Sequence, residues 1–171
     1  MEKPLSLPKR RSARLPEFNY SLCGAYFVTI CTYNHRNLFW KPDAIYSMGA
    51  DIIRPPYLSY YGAIANEAII NIPHCYQFFL VDKYCVMPNH IHMILSVKAH
   101  ASGRTVSAPT VSTVIGQMKR HVSKQIGFAV WQRSFYDHVI RNEQDYREIW
   151  KYIDENPQKW CDDRFFTTPS Q

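Results

Sequence analysis

Two periods of apolar residues divide this chain. In some stretches apolar residues run together or alternate; in others they recur every three to four positions. The first pattern marks strands and the second marks helices. Residues 25–33, Ala25-Tyr26-Phe27-Val28-Thr29-Ile30-Cys31-Thr32-Tyr33, form a β-rich and nearly unbroken apolar run that predicts a central strand. Ile64, Ala65, Ala68, Ile69 and Ile72 fall at helical spacing and predict a helix over 59–72, closed by Pro73. Residues 76–86 and 90–97 read as two more strands. Only Met87-Pro88-Asn89 separates them, a short turn that predicts an antiparallel hairpin. Val114, Ile115, Met118 and Val122 make one apolar face of a helix over 111–126, and Lys119, Arg120 and Lys124 are expected on its outer side. Residues 130–140 suggest a fourth strand, and Asn142, with Asp145 three positions on, opens a last helix through Lys159.

Between these elements, residues 34–56 are turn-rich, with Pro42, Pro55 and Pro56 as breakers, and 98–109 form a loop of small residues. The order β-α-β-β-α-β-α predicts an α+β fold, an antiparallel sheet of four to five strands with helices packed on it. The 171 residues suit a single domain over 1–171. Residues 1–20 are expected to be a basic N-terminal arm and 161–171 a short C-terminal tail.

Composition narrows the class. With 46% hydrophobic and 20% charged residues the chain reads as a folded domain rather than a disordered one. It carries no apolar stretch of bilayer length and begins with charge and proline, so no membrane association and a cytoplasmic location are expected. Its five cysteines are widely spaced with no Cys-x-x-Cys pair, which argues for reduced thiols rather than a disulfide framework or zinc knuckle. The formal charge of +6 favours a polyanionic partner. The charge is clustered, in Lys9, Arg10, Arg11 and Arg14 of the arm and in Lys119, Arg120 and Lys124 of the helix; these are the candidate phosphate contacts. Tyr33, Phe39, Trp40, Tyr60 and Tyr61 lie near predicted loops and strand ends, where rings either stack on single-stranded bases or complete the core.

His90-Ile91-His92 carries the most specific chemistry. On a strand, alternation sends both imidazoles from one face with Cα atoms roughly 6.5–7 Å apart, while Ile91, Met93 and Leu95 enter the core. Two neutral imidazoles so placed can converge on one metal ion, or be satisfied by neighbouring polar groups. In the last helix Ile149, Tyr152, Ile153, Asn156 and Trp160 occupy one face, which puts an amide on an otherwise apolar stripe. Asn156 is then either aimed at something polar or is a C-terminal helix residue before Pro157.

Taken together these segments resemble a known family. Tyr26-Phe27-Val28-Thr29-Ile30-Cys31-Thr32, Met87-Pro88-Asn89-His90-Ile91-His92, Trp131-Gln132-Arg133-Ser134-Phe135-Tyr136-Asp137-His138-Val139-Ile140-Arg141 and Tyr152-Ile153-x-x-Asn156-Pro157-x-x-Trp160 stand in the order seen in the REP-associated tyrosine transposases. These are relatives of the single-tyrosine transposases of bacterial insertion sequences, within the His-hydrophobe-His endonuclease superfamily. The resemblance spans nearly the whole chain and implies that superfamily's ferredoxin-like core. It matches His90 and His92 to the histidine pair, Tyr152 to the nucleophile and Asn156 to the third metal ligand, where the wider family usually has glutamine. The implied cofactor is a divalent ion, Mg2+ or Mn2+.

The implied activity is a metal-dependent single-stranded DNA endonuclease and strand transferase. It would cleave hairpin-forming repeat DNA through a covalent 5′-phosphotyrosine, as a monomer rather than a homodimer. Tyr136 is the rival nucleophile; Tyr136, Asp137 and His138 are otherwise read as packing or DNA-positioning residues. The main alternative is a catalytically inactive DNA- or RNA-binding module of the same fold. A histidine phosphohydrolase is disfavoured because Ile94 occupies the third His-x-His-x-His position, and a zinc deaminase because its His-x-Glu and Pro-Cys-x-x-Cys elements are absent.

Overall fold

A computed structural model describes residues 24–46, 58–98 and 109–167. The basic arm with Lys9, Arg10, Arg11 and Arg14 lies outside them. Strands β1 (Gly24–Cys31), β2 (Phe79–Val86), β3 (His90–Val97) and β4 (Tyr136–Ile140) form one four-stranded sheet in the order β2-β3-β1-β4. Every neighbouring pair is antiparallel, and β2 and β3 are the expected hairpin. The helices are α1 (Pro42–Tyr46), α2 (Tyr60–Ile70), α3 (Ile72–Cys75), α4 (Val111–Ile126) and α5 (Glu143–Glu155). The class is therefore α+β, as the sequence predicts.

Alternation along the inner strands divides the molecule into two apolar layers. Tyr26, Val28, Ile30, Ile91, Met93 and Leu95 face α2 and α4, where Ala65, Ile69, Val114, Ile115, Met118 and Val122 complete the larger core. The opposite face carries Cys85 and Ile94 and is covered by Ile153 and Trp160, from α5 and the 3-10 turn Asn156–Asp162 that follows it. The histidine pair lies on this second face.

Four boundaries differ from the sequence expectation, each for a local reason. Pro73 does not end helical structure. It sits in the first turn of α3, where its missing N–H costs nothing. Strand β2 starts at Phe79 instead of residue 76. Only the end of 130–140 is a strand: Trp131 forms an isolated bridge to Thr32, and the Lys119 ammonium takes the carbonyls of Gln132 and Ser134 at 2.7 and 3.3 Å. The last helix changes to 3-10 geometry at Asn156, because Pro157 has no N–H to continue the ladder.

The ends of α4 and α5 are set by capping. Thr110 caps α4, and Gly127 closes it in the left-handed region at φ 90, which glycine adopts without strain. Asn142 caps α5 by accepting from the Asp145 N–H at 2.8 Å. Tyr146 then donates to Asp82 at 3.2 Å, and Lys83 pairs with Asp154, so α5 is fixed along β2. Asn142→Ala should cost about 1 kcal/mol of stability in urea unfolding. An unchanged midpoint would show that the cap is not what fixes the start of α5.

Candidate active site

His90 and His92 are fully buried, and their Nε2 atoms stand 3.0 Å apart. Each ring is held from behind. The Asn89 amide nitrogen donates to the carbonyls of His35 at 3.2 Å and Phe165 at 2.8 Å, which turns its oxygen toward His90 Nδ1 at 2.9 Å. His90 must therefore donate from Nδ1 and keep its lone pair on Nε2. His92 Nδ1 meets the Thr29 hydroxyl at 2.8 Å, across the β1–β3 register. When His92 also donates from Nδ1, both Nε2 lone pairs face one point, the arrangement that outer partners impose on metal-binding imidazoles.

Burial pushes His90 down to about 2, helped by the charges of His92, His35 and Arg164. It pushes His92 down to about 3, with Arg164 adding to the effect. Both rings are thus neutral near neutral pH, the form that donates a lone pair. Burial raises the flanking thiols as well, Cys31 to about 11 and Cys85 to about 12, so both are protonated near neutral pH in the absence of a metal.

Helix α5 brings the phenol to this pair. The Tyr152 hydroxyl is 3.2 Å from His92 Nε2, and its ring packs edge-on against His92 and Phe27, with 41% of the residue exposed. Burial and the Asp163 charge raise its pKa, against the Arg164 charge and the nearby Asn156 amide. Asn156, one turn on, is buried, and its amide nitrogen has no partner. A buried amide with an unspent end is uncommon, and turning it over would offer its oxygen instead.

Asp163 joins the group. Its side chain is buried, with Oδ1 accepting from the Phe165 N–H at 2.7 Å and Oδ2 3.9 Å from His90 Nε2. The ligand atoms of His90, His92 and Asp163 lie within 4.8 Å of one another. Donors at right angles on an ion with bonds of about 2.1 Å stand about 3.0 Å apart. The imidazole nitrogens match that spacing, so the pair fits a divalent cation, with the Asp163 carboxylate beside it. Sequence reasoning placed Asp163 in the tail and did not single it out. The available signal was its setting, acids enclosed by Trp160, Phe165 and Phe166 in a segment otherwise read as a short tail.

No protein-family model matches the chain. It is 31% identical to an uncharacterized Haemophilus influenzae protein over 176 residues, 92% of this chain and 93% of that protein. The REP-associated tyrosine transposase of Escherichia coli is 30% identical over 86 residues, 47% of this chain and 46% of that protein. A putative REP-associated tyrosine transposase of H. influenzae is 25% identical over 83 residues, and the chain spans 47% of its length. In three dimensions the chain is similar to a REP-associated tyrosine transposase solved bound to a REP hairpin, with a TM-score of 0.58, 22% identity and coverage of 85% of this chain and 74% of that one. The chain thus shares the fold of a REP-associated tyrosine transposase, and it resembles two such proteins in sequence over about half of their length.

Within this fold the remaining candidates divide by layer. Tyr136 pairs with Thr29, and His138 with Phe27, so both leave the histidine face of the sheet, two strands from β3. Tyr136 is 47% exposed, while His138 Nε2 lies 3.1 Å from Asp145 at the start of α5. Arg120 and Lys124 are exposed on α4, across the sheet from the imidazoles. Lys119 departs from the outward position expected of it, because its ammonium is spent on the carbonyls of Gln132 and Ser134. Among the stacking candidates Phe39 is wholly buried, and the Trp40 indole donates to the Val86 carbonyl at 2.6 Å; Tyr33 and Tyr60 are exposed.

Proposed function

We propose that this protein is a metal-dependent single-stranded DNA endonuclease and strand transferase that cleaves hairpin-forming repeat DNA through a 5′-phosphotyrosine. One observation carries this reading: the Tyr152 hydroxyl stands 3.2 Å from one of two converging, outer-braced imidazoles. The hairpin partner is proposed from the relative solved with a REP hairpin. All these groups meet within one chain, which supports action as a monomer. No described helix is long and apolar enough to cross a membrane, in keeping with the proposed cytoplasmic location.

In the proposed reaction the Tyr152 oxygen attacks a backbone phosphorus. The O–P bond forms as the bond from phosphorus to the departing 3′-oxygen breaks. The phenol proton leaves to water through the exposed side of the ring, and the 3′-oxygen gains a proton to become a hydroxyl. One phosphodiester is exchanged for another, so the same site can rejoin strands and needs no nucleotide cofactor. His90 and His92, with Asn156 or Asp163 as a further ligand, would hold Mg2+ or Mn2+, which supplies charge neutralisation at the phosphate and the leaving oxygen. The chain's own part is positional. Thr29 and Asn89 orient the rings, Phe27 and His92 hold the phenol, and α5 carries the nucleophile and the amide together.

Incubation of the protein with end-labelled hairpin DNA and Mn2+ or Mg2+ tests this. A covalent adduct at the 5′ end of the cut is expected. Tight binding with no adduct in either metal would favour the inactive DNA-binding module, and metal-independent preference for RNA would favour the RNA-binding alternative. The further ligand can be tested separately. A carboxylate holds a hard cation more strongly than an amide, so Asp163→Asn is expected to weaken Mn2+ binding at least about tenfold by calorimetry, and Asn156→Ala by less. The reverse order would assign the position to Asn156.

A further inference from the structure

We propose that Arg164 is a phosphate-binding residue of this site, gripping the DNA backbone beside the reacting tyrosine. The inference rests on the proposed function in taking single-stranded DNA as the ligand. Its basis is the direction in which the chain leaves Arg164. On one side Asp163 turns its carboxylate inward to His90; on the other the Phe165 ring lies 4.8 Å from the His90 ring. The backbone here is pinned by the Phe165 N–H on Asp163 and by Asn89 on the Phe165 carbonyl. With both neighbours facing inward, Arg164 is left exposed at the rim.

Its guanidinium is neither loose nor neutralised. It lies over the Phe165 ring with Cζ 4.4 Å from the centroid, a stacking that occupies one face of the guanidinium and leaves its N–H edges to meet an oxyanion. The guanidinium is 4.4 Å from that ring centre and the ring centre is 4.8 Å from the His90 ring, so the charge sits within about 9 Å of the imidazole. The basic residues of α5 and of the turn after it are paired: Arg147 with Glu143, and Lys151 and Lys159 with Glu155. Arg164 forms no ion pair with a described residue. Its charge is nonetheless felt at His90, His92, Cys31 and Tyr152, the groups that surround the site. A phosphodiester brought to Tyr152 carries the complementary charge, and the fork geometry of arginine suits its two free oxygens.

The full-length protein is titrated with single-stranded DNA in EDTA, where the chemistry is silent, over a range of salt. Arg164→Ala should bind about tenfold more weakly at low salt. It should also flatten the slope of log K against log salt by about 0.7, the value for one phosphate contact on a single strand. Arg164→Lys should keep most of the slope but recover only part of the affinity. Replacing single phosphates by neutral methylphosphonates should reveal a position that costs the parent about tenfold and the Ala variant nothing more. An unchanged slope, with methylphosphonate sensitivity retained at every position, would reduce Arg164 to a cover for Phe165 and overturn the proposal. If the parent shows no salt-dependent single-strand binding, this proposal and the proposed function fail together; an absent covalent adduct with the Arg164 effects intact would remove only the catalytic reading.

Discussion

Tyr152→Phe is expected to reduce covalent capture of the cleaved 5′ end by at least about a thousandfold while single-strand binding changes less than about threefold. The substitution deletes one oxygen. That oxygen has a 3.2 Å contact to His92, and the ring contacts with Phe27 and His92 do not depend on it. The fold should therefore survive with a stability change below about 1 kcal/mol, and any loss of adduct reports chemistry. Labelled hairpin DNA run on a denaturing gel is a sufficient assay. Tyr136→Phe is the necessary companion, because Tyr136 leaves the same face of the sheet and is 47% exposed. It should retain the adduct within about threefold. Loss in that variant and survival in Tyr152→Phe would move the nucleophile to β4.

His92→Ala should abolish stabilisation by Mn2+ as well as cleavage. At an ion concentration a hundred times its Kd, the parent should gain about 2.7 kcal/mol, visible as a rise in Tm. The variant should gain none. Absolute stability is a poor readout here, since the substitution also strips a partner from the buried Thr29 hydroxyl, opens space beside Phe27 and Tyr152, and should cost a few kcal/mol by itself. The comparison with and without Mn2+ separates the two effects. Chelation of the parent should reproduce the loss of cleavage without unfolding it. An undiminished Mn2+ shift in His92→Ala would place the ion away from the imidazole pair.

Period-two patterning was enough to assign faces in the centre of the sheet. Ile91, Met93 and Leu95 could be sent to the core, and the histidines to the other side, from alternation alone. The helix over 111–126 was equally legible, because Val114, Ile115, Met118 and Val122 recur at helical spacing on one face. Tertiary contacts decided the rest. Residues 131–135 have strand-like composition, yet Lys119 claims two of their carbonyls, and no local pattern announces a helix ammonium doing so. Asp163 was illegible for a similar reason. It lies far from the histidines in sequence, in a segment with no periodicity, and meets them only because Trp160 and Phe165 bury its surroundings. That Tyr136 shares the histidine face follows from the β1–β4 register, which no pattern along the chain announces.

The 3-10 turn after α5 has a mechanical corollary. Tyr152 on α5 and Asn156 at its end are followed, past a kink at Lys159, by a wholly buried indole that anchors the segment. Tilting the end of α5 would withdraw phenol and amide in concert, leaving the strand-borne imidazoles behind. Presenting the phenol and bringing the Asn156 amide to the imidazoles would then be a single event, with the buried Trp160 holding the segment that follows.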